Sequence, residues 1–159
     1  MRIIETAILS HNKIYFQELA ETLELQNDSV MGINVLRMEI EPDFSVLMYD
    51  LPVDKQLSGE VIEHLKDHLS SLMIITDDAI ANLSDEGRVF VDEFAKDLIN
   101  KPTVIAVRST AEKAQRFNRV SGENGFYLSG QGRVLFWHPA IAVSRKQVWK
   151  TLWSTLHPA

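Results

Sequence analysis

The order of the predicted strands and helices constrains the fold of this chain more than any single residue does. A first apolar strand at residues 3–9 and a first helix at residues 14–25 are followed directly by two strand-like segments, residues 32–40 and 44–50. The turn-forming residues at positions 41–43 between these segments predict an antiparallel hairpin. A hairpin in second place disfavours folds that alternate strand and helix throughout.

After the hairpin, the chain alternates between helices and buried strands. Residues 72–76 and 103–107 are continuous apolar runs, which are typical of strands covered on both faces. Helical periodicity occurs in four further segments, at residues 61–69, 84–98, 111–117 and 144–156. The pattern predicts one α/β domain over residues 1–159, with three layers. Its mostly parallel six-stranded sheet has one antiparallel hairpin strand and helices on both faces.

The end of the chain carries the last predicted elements. Residues 134–137 and 140–143 are interpreted as an extended segment, and Ser144 and Gln147 fit a capping box at the start of the last helix. Before them, the glycine-containing residues 118–132 form a loop-like stretch. Phe126 and Tyr127 in this stretch either add a short strand paired with residues 133–137 or are presented to a partner.

Composition excludes several classes of function. The 159 residues include no cysteine, which excludes disulfides and thiolate sites and favours a reducing cytoplasm. The formal charge of −6 argues against nucleic-acid binding, because phosphate backbones are bound mainly by clustered Lys and Arg. No apolar run approaches the roughly 20 residues that span a bilayer, so we expect a cytoplasmic protein.

The element order, together with Asp50-Leu51-Pro52 after the fourth segment, resembles the Ras-like small GTPases over essentially the whole chain. The closest similarity is to the bacterial and archaeal branch that includes the gliding-motility GTPase and Arf-like proteins. The resemblance implies a P-loop G domain in which Asp50 matches the aspartate that supports magnesium. It also implies a glycine at position 53, where this chain has Val53.

The phosphate-binding motifs of that family are incomplete here. The family's loop, G-x-x-x-x-G-K-[ST], cradles phosphates with backbone N–H groups, and its Lys reaches the β/γ oxygens. This chain has no glycine between its first strand and Lys13, and the next residue, Ile14, offers no hydroxyl for a metal. Lys13 and Asp50 are therefore the only candidates for residual phosphate and magnesium contacts.

The base-reading motif is replaced as well. The resemblance places Asn-Lys-x-Asp after the strand at residues 103–107, where this chain has Arg108-Ser109-Thr110-Ala111. Ala111 accepts no hydrogen bond from a base, and a binding site that lacks its polar partner loses most of its discrimination. The sequence therefore predicts a pseudo-GTPase with no catalytic residues.

Other polar residues in the sequence favour solvated or structural roles over chemistry. His64 and His68, spaced i, i+4 on a predicted helix, have no evident third metal ligand and are interpreted as an exposed pair. Ser10, His11 and Asp50 lack the G-x-S-x-G elbow of a hydrolase. Asp77 and its neighbour at position 78 follow a buried strand, a weak similarity to receiver phosphoacceptors, and His138 is interpreted as a loop histidine.

Two hypotheses remain open from the sequence. The first is a nucleotide-independent interaction module without cofactor or metal, in a prokaryotic signalling system. Its partner would be a roadblock-type regulator, as the resemblance implies, or a second copy of the chain. Its candidate partner-binding residues are Phe126, Tyr127, Val53 and Asp54. The second is a nucleotide-binding protein that uses Lys13 and Asp50 for GTP and magnesium.

Overall fold

The computed structural model describes residues 2–10, 12–21, 23–30, 33–51, 60, 63–65, 67–77, 101–121, 126–127 and 132–156. These residues form eight strands: β1 (Arg2–Ser10), β2 (Gln26–Val30), β3 (Ile33–Glu41), β4 (Phe44–Leu51), β5 (Leu69–Asp77), β6 (Thr103–Arg108), β7 (Phe126–Tyr127) and β8 (Gly132–Trp137). They also form three helices: α1 (Lys13–Ala20), α2 (Ala111–Ser121) and α3 (Ala142–Leu156).

The eight strands form a single sheet in the order β2-β3-β4-β1-β5-β6-β8-β7. The central strands β4, β1, β5, β6 and β8 are parallel to one another, as expected from the alternation of strands and helices. The predicted hairpin is β3 and β4, with Leu36 opposite Met48. The predicted α/β class is confirmed, but the predicted count of six strands is wrong.

Two short antiparallel strands at the sheet edges account for the difference. β7 pairs with β8, with Phe126 opposite Val134, so the predicted short strand is confirmed. β2 pairs with β3, with Asp28 opposite Val35, and is absent from the sequence prediction. Its sequence, QNDSV, has no apolar alternation, since this edge strand is held by backbone pairing and its described side chains are exposed. The first helix, predicted at residues 14–25, ends at Ala20 in the structure.

The side chains of the central strands alternate between two buried clusters, one on each face of the sheet. In β1, Ile8 belongs to the first cluster, whereas Ala7 and Leu9 belong to the second. α1 and α3 cover the first face, with Phe16, Leu19, Ala20, Val148, Trp149 and Leu152. On the second face the described part of the chain adds Leu65, from a short helical segment. The predicted helix at residues 84–98 lies outside the described residues.

α3 begins at Ala142, so the extended segment predicted at residues 140–143 is wrong. The chain turns directly after β8, where the Ile141 amide donates to the His138 carbonyl over 3.0 Å. Ser144 is therefore inside the first turn of α3 and is not its N-cap. Its hydroxyl accepts from the His138 amide at 3.1 Å and lies 2.6 Å from the Ile141 carbonyl. Within the described residues, no helix has the length and hydropathy that a bilayer crossing requires.

Two α3 side chains attach α1 to the rest of the molecule at its C-terminal end. The buried indole N–H of Trp149 donates to the Leu19 carbonyl over 2.8 Å, and Trp149 stacks on Trp153 with ring centroids 5.6 Å apart. The Arg145 guanidinium donates to the Glu18 carbonyl over 3.4 Å, which places a positive charge at the negative end of the α1 dipole. These contacts satisfy carbonyls that a helix end leaves unpaired.

Replacing Trp149 with Phe is expected to lower the free energy of unfolding by about 1–3 kcal/mol, because it leaves the buried Leu19 carbonyl without its donor. Urea denaturation measures the change. Trp153→Phe is the matched control, since Trp153 is half-buried and stacks on the same ring. An equal loss in both variants would assign the effect to ring packing instead of the hydrogen bond.

Candidate functional site

The candidate site lies at the edge of the sheet where the parallel strands end. β1 ends at Ser10, β4 at Leu51, β5 at Asp77 and β6 at Arg108, and all four run in the same direction. Ligands of open α/β sheets bind at this carboxyl edge. The edge brings together the two predicted site residues, Lys13 and Asp50.

The connection between β1 and α1 is very short. Only His11 and Asn12 separate Ser10, the last residue of β1, from Lys13, the first residue of α1. A phosphate loop has about six residues before its lysine, because several successive N–H groups must surround the phosphate. The junction therefore does not fit a triphosphate in the way a P-loop does.

The hydrogen bonds of this junction are made within the chain. Asn12 is the N-cap of α1, and its side-chain oxygen accepts from the Ile14 amide at 3.0 Å. The Asn12 carbonyl accepts from the Tyr15 amide at 2.9 Å and from the Ser10 hydroxyl at 2.5 Å. Amides at the start of a helix are the groups that bind phosphate in nucleotide sites. Two of them are already paired here.

Asp50 lies half-buried at the end of β4, in register with Ile8 of β1 and Asn34 of β3. Its Oδ1 atom is buried and has no hydrogen-bond partner among the described residues. Burial raises the pKa of the Asp50 carboxyl above its ordinary value, and the positive charge of Lys13 opposes that shift. Among the described residues, the exposed side chain of Lys13 thus favours the charged form of the Asp50 carboxylate.

Four side chains connect α1 to the ends of β5 and β6, and we call them the strand-end network: Tyr15, Glu18, Asp77 and Arg108. The Tyr15 hydroxyl donates to Asp77 Oδ2 over 2.6 Å. Arg108 Nε donates to Glu18 Oε2 over 2.9 Å, and the guanidinium carbon lies 5.2 Å from the centroid of the Tyr15 ring. The bond to Asp77, with burial, raises the pKa of Tyr15.

The strand-end network does not follow from the sequence. In the sequence, Asp77 is visible as the end of a strand with a weak similarity to receiver phosphoacceptors, and Arg108 only as the residue in the first position of the base-reading motif. One signal is present, because Tyr15 and Glu18 are three residues apart and therefore share a face of α1. Their partners, Asp77 and Arg108, are separated from them by 62 and 90 positions in the sequence. Periodicity does not reveal contacts over such separations.

The segment after β6 is also paired internally. The Ser109 amide donates to the Trp137 carbonyl over 2.8 Å, and the Thr110 hydroxyl accepts from the Lys113 amide at 3.2 Å at the start of α2. Ala111 is the first residue of α2, and its methyl group offers no acceptor. The last position of the base-reading motif therefore provides no side-chain carboxylate.

The other residues singled out in the sequence do not form a second site. His64 and His68 are exposed, and the described part of the chain contains no group of three or more His, Asp or Glu side chains able to hold a metal. His138 Nδ1 accepts from the Ala140 amide at 3.1 Å within the turn before α3. The Ser10 hydroxyl is used by Asn12, and His11 lies outside the described residues.

The four candidate partner-binding residues are described unequally. Phe126 and Tyr127 form β7 at the end of the sheet, so their structural role is confirmed by the pairing with β8. Val53 and Asp54 lie outside the described residues, as does the second aspartate of the pair that begins at Asp77. Their role in partner binding stays a prediction.

Solved structures with a similar fold include two GTPases. The Arl6 BBS3 small GTPase from Trypanosoma brucei, with the nucleotide analogue GppNp bound, has a TM-score of 0.64 and 11% identity, covering 96% of this chain and 96% of that one. A variant of Era from Aquifex aeolicus, bound to GDP and AlF4−, has a TM-score of 0.61 and 13% identity, covering 100% of this chain and 58% of Era. This chain has the small-GTPase fold.

Identities this low establish the fold alone. No protein-family model and no curated protein matches the sequence. The resemblance inferred from the order of elements is therefore confirmed as a fold. The bacterial branch and the loss of GTPase activity stay predictions.

Replacing Asp50 with Asn is expected to stabilise the protein at neutral pH. A folded-state pKa above the unfolded value means that the folded chain holds the proton more tightly, so the wild type loses stability as pH rises between the ordinary and the raised value. The stabilisation should be absent near pH ~3, where both states are protonated, and should grow as pH rises from there towards 7. Thermal melts across this range measure it.

The control for this experiment is Asp43→Asn, which removes an exposed carboxylate from the turn between β3 and β4. Its effect should stay within about 0.5 kcal/mol at each pH. Destabilisation by Asp50→Asn at pH 7 would show that the Asp50 charge is compensated by groups other than Lys13.

Replacing Tyr15 with Phe is expected to lower the free energy of unfolding by about 1.5 kcal/mol, the lower range for a hydrogen bond to a charged group. Urea denaturation of Tyr15→Phe, Asp77→Asn and the double variant gives the coupling energy. Additive effects of the two substitutions would exclude the Tyr15 to Asp77 bond as a stabilising contact.

Proposed function

We propose that this chain is a pseudo-GTPase, a nucleotide-independent module of small-GTPase fold that binds another protein chain. The observation that supports this proposal most directly is the two-residue connection between β1 and α1. A triphosphate bound as in a P-loop requires N–H groups that converge on its oxygens. In this chain, the amides of Ile14 and Tyr15 already donate to Asn12.

The opposite side of the site supports the same proposal. In the family that the fold resembles, the segment after β6 reads the base. Here Arg108 extends to α1, where it donates to Glu18 and lies over the Tyr15 ring. The strand-end network thus connects α1 to the ends of β5 and β6 through its own side chains. α1 needs no ligand for these contacts.

The protein partner is inferred by resemblance to the family. A roadblock-type regulator in a prokaryotic signalling system is one candidate, and a second copy of this chain is the other. The two solved neighbours hold GppNp or GDP with AlF4−, which describes those proteins. Their nucleotides do not carry over, since the residues that would hold the phosphates are replaced in this chain.

One observation favours the alternative of a nucleotide-binding protein with an altered pocket. Asp50 Oδ1 is buried and has no hydrogen-bond partner among the described residues, and Lys13 is close enough to influence the Asp50 pKa. A carboxylate oxygen of this kind is a possible ligand for a magnesium ion. A hydroxyl from the next position, which the family uses for the same ion, is missing because Ile14 follows Lys13.

Thermal melts with millimolar GTP, GDP or ATP, each with magnesium, test the proposal. A nucleotide at 100 times its dissociation constant adds ~2.7 kcal/mol, or roughly 5–10 °C for a domain of this size. We expect the melting temperature to stay unchanged with all three nucleotides. A GTPase that binds GTP serves as the positive control for the assay.

A shift of several degrees with one nucleotide would contradict the proposal. Lys13→Ala would then locate the ligand, because it should remove the shift if the Lys13 and Asp50 pair holds the phosphate and magnesium. Lys146→Ala is the matched control, since Lys146 is an exposed lysine on α3. A shift that survives both substitutions would place the nucleotide elsewhere.

A further inference from the structure

The turn between β8 and α3 is built around one histidine. His138 directly follows β8, and α3 begins at Ala142. The His138 amide donates to the Ser144 hydroxyl over 3.1 Å, and the His138 carbonyl accepts from the Ile141 amide at 3.0 Å. The imidazole makes a third bond, because its Nδ1 atom accepts from the Ala140 amide at 3.1 Å. His138 therefore connects the end of the strand to the first turn of the helix through both its backbone and its ring.

The bond from Ala140 fixes the protonation state of the His138 ring. A backbone N–H group can only donate, so Nδ1 must offer a free lone pair, and the proton of the neutral ring lies on Nε2. A second proton would bind Nδ1, the only ring nitrogen that is still free to take one. It would set an N–H group of the ring against the N–H group of Ala140. The turn is thus compatible with the neutral ring alone.

The charged side chains around this turn provide no replacement for the lost bond. β6 ends, and α2 and α3 begin, at this edge of the sheet, and all three pack against β8. The charged residues at the end of β6 and in the first two turns of the two helices are Arg108, Glu112, Lys113, Arg116, Arg145 and Lys146. The one acidic residue, Glu112, lies 3.0 Å from Arg116. Within the described ranges, no carboxylate pairs with His138, and the positive end of the α3 dipole opposes a further positive charge.

The start of α3 also holds α1 in place. Arg145, in the first turn of α3, donates to the Glu18 carbonyl over 3.4 Å. One turn later, the indole N–H of Trp149 donates to the Leu19 carbonyl over 2.8 Å. A change in the turn before α3 therefore acts on the helix that carries Tyr15 and Glu18.

We propose that His138 is a proton-sensitive switch, in which proton uptake at Nδ1 opens the turn before α3 and loosens the attachment of α3 to α1. One proton binds one ring nitrogen, and the charge of the ring changes from neutral to positive. Histidine is the side chain that ordinarily changes its charge between about pH 5 and 8, so a modest acidification is the signal that this switch would read. The inference goes beyond the proposed function, because it involves neither Lys13 nor Asp50.

Nuclear magnetic resonance of the full chain tests the protonation state directly. Long-range 1H–15N spectra, recorded from about pH 8 to about pH 5, identify which ring nitrogen of each histidine carries a proton. We expect the neutral ring of His138 to be protonated on Nε2. A neutral ring that carries its proton on Nδ1 would overturn the proposal.

Hydrogen exchange in the same samples reports whether the turn opens. The exchange rates of the Ala140 and Ile141 amides are corrected for the intrinsic dependence of exchange on pH. Both amides should then exchange roughly fivefold to tenfold faster when the His138 ring is protonated, as expected for the loss of one hydrogen bond. Exchange that stays constant while the ring takes up its proton would overturn the proposal.

The variant His138→Asn separates the hydrogen bond from the proton. An Asn side chain accepts from the amide two residues further along, as in an Asx-turn, and it does not titrate. We expect the Ala140 amide of this variant to stay protected at every pH. His64→Asn is the matched control, because it removes an exposed histidine and should keep the pH response of the wild type. A response that persists in His138→Asn, or that disappears in His64→Asn, would contradict the proposal.

The indole N–H of Trp149 reports whether the effect reaches α1. Its exchange should accelerate together with that of Ala140, because the start of α3 carries both contacts to α1. Faster exchange at Ala140 with no change at Trp149 would overturn the link to α1. The measurements on the wild type need no variant, so they decide the matter even if His138→Asn does not fold. None of them contains a nucleotide, so a negative result leaves the proposed function untouched.

Discussion

The short connection between β1 and α1 is the constraint on which the rest of the site depends. Because two residues join the strand to the helix, α1 starts immediately beyond the end of β1, and Asn12 must cap the helix with its own side chain. The helix is then fixed at both ends by protein groups. Tyr15 and Glu18 attach it to Asp77 and Arg108 near its start, and Trp149 binds the Leu19 carbonyl near its end. In a nucleotide-binding relative, a phosphate would supply part of this fixation at the start of the helix.

Asp50 and Asp77 show two ways in which a carboxylate is accommodated at the end of a buried strand. A carboxylate at the end of a buried strand is costly unless charge or hydrogen bonds compensate it, and here burial raises its pKa while Lys13 acts against that shift. Asp77, at the end of the strand next to β1 in the sheet, receives the Tyr15 hydroxyl instead. Two carboxylates at the same edge thus have different environments. The one with a neutral donor belongs to the strand-end network, whereas the one near a lysine keeps an oxygen that no described residue pairs.

The sequence predicts those parts of the fold that depend on burial, since burial leaves a periodic pattern. The apolar runs of β5 and β6 and the strand β4 of the hairpin are examples, and most of their side chains are buried. β2 escapes prediction because its exposed polar side chains carry no such pattern, and the predicted first helix extends over Leu23 and Leu25, which pack on the core without being helical. In the site, a motif reveals Lys13 and Asp50. It does not reveal Arg108 and Tyr15, because their contacts join positions far apart in sequence.

The way in which α1 is held bears on how this chain would bind a partner. A small GTPase makes its partner surface depend on the nucleotide because segments near the γ-phosphate change conformation. In this chain, Tyr15 and Glu18 connect α1 to Asp77 and Arg108 through side chains. Under the proposal of a pseudo-GTPase, these contacts take the place of the nucleotide in holding α1. A partner surface near α1 would then keep one conformation whether or not a nucleotide is present.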